Sequence, residues 1–357
     1  MRYASIDILR TLAIFVMVLV HFGENLAGYK VPVAGFGAPL FALLSGVGYS
    51  LWLRGQHRRE ASEEHISKVS IRRGLFVLGV GFAFNILVWL PEDTFNWDVL
   101  TLIGVALLIL NYLRRFPASV SLTVAAVALF LSPVFRAMAE YDLYWVNGYF
   151  DGDLTLSDIL LGFSVTGYFP LFPWIAFSIV GYVTGGYLFG SNDQAYKRTA
   201  LTGAGLLAAS LLLLAVRPEQ PGDLSKHLLR GWTMYPATIE YVLGTLGISL
   251  LLLGVLHKTV DLNPASAKHE RALGVATLLS RHSFTIYLLH HVVHLWPLWI
   301  YGMATGNKPT EFWMKAMPAS VSIALALLFM VVCYYALRAI GPNRRIGAEA
   351  WMRWLCD

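Results

Sequence analysis

The sequence predicts an all-α, polytopic integral membrane protein with about ten transmembrane helices and both termini in the cytoplasm. Of its 357 residues, 57% are hydrophobic and 14% are charged, whereas roughly 25% of the residues of a soluble domain are charged. The mean hydropathy is +0.59, and apolar runs recur from one end of the chain to the other. These observations exclude a soluble globular protein and leave no room for a separate soluble module.

The length of each apolar run is compared with the thickness of the hydrocarbon core of a bilayer, which a helix of about 20 residues crosses. The runs predict a single membrane domain over residues 1–357, with a short amphipathic cytoplasmic tail at 343–357. The largest loop, about 136–167, is expected to hold a short interfacial helix. The predicted spans are 8–27, 33–53, 74–90, 97–113, 118–135, 168–190, 200–216, 238–256, 276–300 and 317–340.

Lys and Arg residues set the orientation, because positively charged loops stay in the cytoplasm. With the N-terminus inside, most of the 27 basic residues fall on the cytoplasmic side of a cell inner membrane. The net charge of +5 is explained by anionic lipids, so no nucleic-acid partner is expected. The first apolar run reads as a retained helix and not as a signal peptide. Cys333 and Cys356 have no metal-ligand or CxxC spacing, and they predict no redox chemistry.

The first span carries ionisable side chains, which are costly in a bilayer and therefore point to function. Arg10 and His21 are eleven positions apart, which places them within about 20° of one helix face and about 16 Å apart along the axis. Asp7 stands three residues before Arg10, and Glu24 stands three residues after His21, so each is expected to pair across a turn. Glu24 would then fix the tautomer of His21 as a general base. The alternatives are that His21 bonds a neighbouring helix and that Glu24 is a solvated residue.

A second cluster, His290, His291 and His294, lies in the predicted ninth span. His290 is expected to reach the same outer half of the bilayer as His21 and to share one chamber with it. His290 and His294 have a spacing of four, but no HExxH glutamate accompanies them, so no metal is expected. The alternative is that these side chains bond across helices or lie at the interface.

Basic residues at the inner helix ends form the predicted donor site. Arg72 and Arg73 open the third span, and with Arg10 and Arg281 they are predicted to hold the phosphates of a soluble donor. The alternative is that they only set the topology.

The segment RYASIDILRTLAIFVMVLVHF, at residues 2–22, resembles the membrane acyltransferases related to heparan-alpha-glucosaminide N-acetyltransferase. The segments APLFALLSGVGYSLWLR, RRGLFVLGVGFAFN, YFPLFPWIAFSIVGYVTGG, YPATIEYVLGTLG and LLSRHSFTIYLLHHVV resemble successive blocks of bacterial members. The Arg10 to His21 spacing is also similar to that of the broader membrane acyltransferase superfamily.

The resemblance implies that an acetyl or other short acyl group passes from cytoplasmic acetyl-CoA to an amine or hydroxyl, as on a sugar, at the outer side. It matches His21, Arg10 and His290 to residues that recur in the family. With Glu24, which the helix spacing adds, His21 and His290 are the predicted catalytic residues. The lysosomal enzyme has its active histidine just after the first span, whereas residues 24–35 contain none. Either His21 takes that role, or the mechanism differs, or activity is lost.

The sequence leaves two other functions open. One is a proton-coupled transporter or exporter that uses His21, Glu24 and His290 as a relay. The other is a binding or scaffolding protein that keeps an inactive acyltransferase fold. The expected partners are acyl-CoA, a sugar or other small acceptor and the lipid bilayer, and a homodimer is left open.

Overall fold

The protein is mostly helical, as the apolar runs predict. The computed structural model describes residues 2–89, 91–190, 194–217, 228–341 and 346–357. The α-helices are α1 (Ala4–Ala27), α2 (Gly37–Arg58), α3 (Glu63–Val88), α4 (Val99–Leu113), α5 (Ala118–Met138), α6 (Leu156–Leu161), α7 (Leu171–Leu188), α8 (Ala195–Ala215), α9 (Ile239–Leu256), α10 (Glu270–Arg281), α11 (Ser283–Ala304), α12 (Ala319–Ile340) and α13 (Ala348–Cys356). Shorter 3-10 turns span Pro91–Phe95, Tyr141–Tyr144, Pro264–His269 and Pro309–Phe312, and π-helical turns span Gly162–Thr166 and His257–Asp261.

Among the described residues, seven helices are long and apolar enough to cross a membrane, and an eighth crossing is formed if the bent pair α10–α11 counts as one span. The protein is therefore a multi-pass membrane protein. Nine of the ten predicted spans each overlap one helix, and the predicted ninth span, 276–300, falls on both α10 and α11. The helix α4 has 15 residues, fewer than the roughly 20 of a standard span. The count of ten crossings and the cytoplasmic termini stay predictions.

Large apolar side chains on the outer helix surfaces support the membrane assignment. The exposed fractions are 63% for Leu87, 58% for Phe130, 59% for Ile300, 55% for Leu328 and 54% for Val332. Soluble proteins rarely leave contiguous apolar surface open to water, whereas lipid tails cover such surface without cost.

The predicted ninth span, 276–300, is wrong as a single helix. α10 ends at Arg281, α11 begins at Ser283, and their axes differ by 72°. His282 lies between them, and its backbone (φ −115°, ψ 24°) is outside the α-helical region. The rise per residue therefore cannot be counted from residue 276 to give the depth of His290.

The loop at 136–167 contains the expected short helix, α6, and also a β-hairpin that the hydropathy pattern did not predict. Strands β1 (Trp145–Val146) and β2 (Tyr149–Phe150) pair antiparallel. The turn between them is Asn147–Gly148, with φ values of 52° and 85°, and Asn-Gly is the preferred dipeptide for a two-residue hairpin turn.

The described chain divides into two compact units. The first contains residues within 1–38 and 257–355, and the second those within 39–256. The prediction of a single domain stays a prediction. In the first unit, α1 packs against α10, α11 and α12.

In the second unit, α2 and α7 approach closely through two glycines. A Cβ on Gly46 would lie 1.9 Å from the Ser178 carbonyl oxygen, and a Cβ on Gly181 would lie 2.0 Å from that of Leu43. Small residues that allow this approach are the usual contact between membrane helices.

The chain end forms α13, so the predicted amphipathic tail is helical from Ala348, while residues 342–345 lie outside the described chain. Trp351 and Trp354 of α13 are exposed. On its other side, the Glu349 carboxylate accepts the backbone N–H groups of Phe284 (2.7 Å) and Thr285 (3.1 Å) and the Thr285 hydroxyl. His282, the residue before α11, makes no side-chain hydrogen bond to the start of this helix. Glu349 of the tail therefore caps α11.

Candidate functional site

A pair of histidines joins α1 to α11 in the first unit. The Nδ1 atom of His21 lies 2.8 Å from Nε2 of His290. The two ring planes differ by 13°, and their centroids are 5.1 Å apart, as expected for imidazoles bonded edge to edge. His290 is fully buried, and His21 is partly exposed. The structure thus brings together the two histidines predicted to share a chamber.

The direction of this hydrogen bond follows from the groups around it. Nδ1 of His290 contacts the Tyr287 carbonyl oxygen, which can only accept, so Nδ1 carries a proton. In a neutral imidazole the other nitrogen is then an acceptor. His21 must therefore donate from Nδ1 to Nε2 of His290, which leaves a lone pair on Nε2 of His21. We call this chain from Tyr287 through His290 to His21 the histidine relay.

His294 belongs to a second chain that is fully paired. Its Nδ1 donates to the His290 carbonyl oxygen at 2.5 Å, so its Nε2 accepts from the Asn25 amide at 2.9 Å. The Asn25 oxygen accepts from the Trp313 indole at 3.3 Å. This chain locks the rotamer of His294 and holds α1 to α11 one turn beyond the relay.

His291 lies beside the relay and is buried. Its ring centroid is 4.5 Å from that of His21 and 4.1 Å from that of His290. One ring nitrogen from each of these three histidines falls within 4.8 Å of the others. Within the described chain, therefore, three imidazoles from two helices form one cluster.

The expected pairing of Glu24 with His21 across one turn is not found in the described chain, and a catalytic role for Glu24 stays a prediction. Nδ1 of His21 is bonded to His290 instead. Glu24 is half-buried on α1, and its side chain shares no hydrogen bond with His21. Spacing along one helix identified a neighbour, but the true partner comes from another helix.

Asp7 and Arg10 form no direct salt bridge in the described chain, although their opposite charges interact. Asp7 binds Arg2 through two hydrogen bonds of 2.6 and 2.8 Å, and it accepts from the hydroxyls of Ser280 (2.7 Å) and Thr277 (3.1 Å). Arg10 reaches the Ser280 hydroxyl at 3.4 Å. The buried carboxylate of Asp7 therefore links α1 to α10, and Arg10 is connected to it through Ser280.

The remaining predicted donor residues are distributed over both units. Arg281 is exposed at the end of α10, next to Ser280. Arg72 is exposed on α3, and the Arg73 guanidinium lies 4.9 Å from the centre of the Trp52 ring, within cation–π range. No contact of the described residues tests their predicted phosphate role.

Sequence reasoning missed several residues that shape the site. Asn25 follows His21 by four positions, so the spacing that relates His290 to His294 could have identified it as a second polar group on the same face. Ser280 and Thr277 lie three residues apart on α10 and offer no comparable signal, because isolated hydroxyl residues are common in helices.

A family model described as heparan-alpha-glucosaminide N-acetyltransferase, catalytic, matches residues 2–215. No curated protein matches the chain. The matched segment runs from the N-terminus through α8, so it includes Arg10 and His21 but not the α11 histidines. Because it covers more than half of the 357 residues, the chain belongs to the heparan-alpha-glucosaminide N-acetyltransferase family of membrane acetyltransferases.

Proposed function

We propose that this protein transfers an acetyl group from cytoplasmic acetyl-CoA to an amine or hydroxyl of a sugar at the outer side of the cell inner membrane, with His21 as the general base. Family membership supports acetyl transfer. The observation that carries the role of His21 is the relay, which leaves a lone pair on Nε2 of His21. A correctly protonated, oriented imidazole is the usual general base.

In the proposed reaction, Nε2 of His21 removes a proton from the acceptor as its nitrogen or oxygen attacks the thioester carbonyl carbon. The tetrahedral intermediate collapses with cleavage of the carbon–sulfur bond, and the coenzyme A thiolate leaves. The His21 imidazolium then returns the proton to the thiolate. During this cycle the Nδ1–H of His21 keeps its hydrogen bond to His290, which stabilises the charge on His21.

The donor phosphates would bind to arginines at the inner helix ends. Arg10 is held near Ser280 at 3.4 Å, and Arg281 is the next residue of α10. Their guanidinium groups are suited to two-pronged phosphate contacts. The phosphate role of Arg72 and Arg73, which belong to the second unit, stays a prediction. Replacing Arg10 by Lys should raise the KM for acetyl-CoA more than it lowers kcat.

The test supplies purified protein with radiolabelled acetyl-CoA and a panel of amino sugars and neutral sugars. His21→Ala should lower transfer about 10²–10⁴-fold, the usual contribution of a general base. His269→Ala is the matched control, because His269 is exposed and lies in the same unit. Transfer that is undiminished in His21→Ala overturns the assignment.

A second measurement separates a general base from a nucleophile. The protein is incubated with labelled acetyl-CoA without acceptor and then denatured. A general base leaves no label on the chain, whereas an acetyl-imidazole intermediate leaves label that His21→Ala abolishes.

Family membership does not favour the transporter alternative. A proton relay through Glu24 is also less attractive, since Glu24 is not bonded to His21. Movement of an unmodified sugar into proteoliposomes that lack acetyl-CoA would favour a transporter.

A further inference from the structure

The three imidazoles of His21, His290 and His291 form a cluster of nitrogen ligands, and the proposed acetyl transfer does not use all of them. His21, His290 and His291 each place one ring nitrogen within 4.8 Å of the others. Two of the rings are buried and the third is partly exposed, so the cluster is shielded but still reachable from the His21 side. His291 has no step in the proposed reaction.

We propose that His21, His290 and His291 bind a divalent transition metal ion of the zinc class, and that this ion switches the transferase off. Three histidines with one open position are a known ligand set for zinc, with zinc–nitrogen distances of about 2.0–2.1 Å. In a tetrahedral site these distances separate the ligand nitrogens by about 3.3 Å. Nδ1 of His21 and Nε2 of His290 are 2.8 Å apart, so they need to separate by about half an ångström, and both rings need to turn until their lone pairs converge on the ion. The nitrogen of His291, within 4.8 Å of both, must come to the same spacing.

The surroundings of His290 already match those of a metal ligand. Ligating histidines almost always donate their second ring N–H to a carbonyl or carboxylate, which fixes the ring and the tautomer. Nδ1 of His290 makes this bond to the Tyr287 carbonyl oxygen, so Nε2 faces the cluster with its lone pair. His294 has both ring nitrogens engaged and would pack beside the metal without binding it.

Metal binding would change the tautomer of His21. The ion takes the lone pair of Nδ1, so the single ring proton of the neutral imidazole must lie on Nε2. That nitrogen can then no longer accept a proton from the acceptor. The inhibition, though not the metal binding, rests on the proposed role of His21 as general base. The metal would therefore stop transfer by removing the base, without blocking the donor phosphates.

Cobalt(II) is the probe for the binding itself, because its visible absorption reports coordination and needs no enzyme activity. Full-length protein without a polyhistidine tag is titrated with Co²⁺ in detergent. We expect one ion per chain, with bands of four- or five-coordinate cobalt. His291→Ala should weaken binding at least tenfold, while His269→Ala should bind as the wild type does. His291→Cys should bind again and add a sulfur-to-cobalt charge-transfer band, because thiolate is also a zinc ligand.

Absence of saturable binding by the wild type, or equal affinity in His291→Ala, overturns the proposal. If His291→Ala does not fold, His291→Cys decides by the presence or absence of the charge-transfer band. Initial rates of acetyl transfer are then measured with Zn²⁺ and with a chelator, and Zn²⁺ should lower kcat in the wild type. A protein that binds Co²⁺ but never transfers acetyl groups contradicts the proposed function alone, and an active enzyme that binds no Co²⁺ contradicts the metal site alone.

Discussion

Replacing His290 tests whether the relay controls the base. In His290→Ala the Nδ1–H of His21 loses its acceptor, which lies at 2.8 Å in the wild type. This bond becomes charge-assisted when His21 takes a proton, and hydrogen bonds to charged groups contribute about 1.5–3 kcal/mol. Since 1.36 kcal/mol changes a rate tenfold, kcat should fall by about 10–150-fold.

The KM for acetyl-CoA should change little in this variant, because His290 makes no contact assigned to the donor. His290→Gln is the matched rescue variant. Its side-chain oxygen takes the place of Nε2 and accepts from His21, so kcat should recover most of the loss. Thermal unfolding in detergent for both variants separates a catalytic effect from a loss of folded protein.

Two results would refute the reasoning. One is a His290→Ala enzyme with the wild-type kcat, which would mean that the bond to His21 does not orient the base. The other is a His290→Gln enzyme no faster than His290→Ala, because an acceptor for the Nδ1–H is the feature that the rescue restores. A purely structural role for His290 would move the unfolding temperature and leave the split between kcat and KM unchanged.

Three further predictions concern stability and site geometry, and the first two are measured by thermal unfolding in detergent. Gly46→Ala should strongly destabilise the protein, because the added Cβ would lie 1.9 Å from the Ser178 carbonyl oxygen. Gly79→Ala is the control, because a Cβ at Gly79 would point into open space. Equal stability of the two variants would contradict the close approach of α2 and α7. Glu349→Ala should lower the free energy of unfolding by about 1–2 kcal/mol, because α11 loses its cap. Glu349→Gln should lower it less, because the amide oxygen can still accept a hydrogen bond. The opposite order of the two variants argues against capping. Asn25→Ala should lower kcat severalfold by loosening the second histidine chain, with the KM for acetyl-CoA as the internal control; an unchanged kcat would separate that chain from the site.

The helices were predictable because the signal for each is contained within its own sequence. An apolar run long enough to span the hydrocarbon core must satisfy its backbone internally, and a helix does so with local hydrogen bonds. The bend at His282 was not predictable in this way. Neither Pro nor Gly interrupts residues 276–296, and the break becomes visible only when α10 and α11 are seen to leave along axes 72° apart.

The hairpin is an informative failure of a different kind. Asn147–Gly148 is a strong turn signal, and it lies between Trp145–Val146 and Tyr149–Phe150. The hydropathy pattern identifies residues 145–150 only as part of a loop. Strands of two residues are too short to show the alternation of apolar and polar residues that marks a longer strand. The turn chemistry would have predicted the hairpin, had it been weighed against hydropathy.

The candidate site shows where intrahelical reasoning stops. Helix geometry placed Arg10 and His21 on one face of α1, and it chose Asp7 and Glu24 as their partners because those residues lie three positions away. The structure selects Ser280 and His290 instead.

Within a helix, a side chain has only a few neighbours, at spacings of three and four residues. At a packed interface between helices, its partner can come from any distance along the sequence. In a low-dielectric interior, the partner that completes both ends of a hydrogen bond is favoured over one that leaves a donor unpaired. The tautomer of His21, and with it the proposed role of His21 as the base, therefore depends on a carbonyl at Tyr287, which no spacing from the first span can predict.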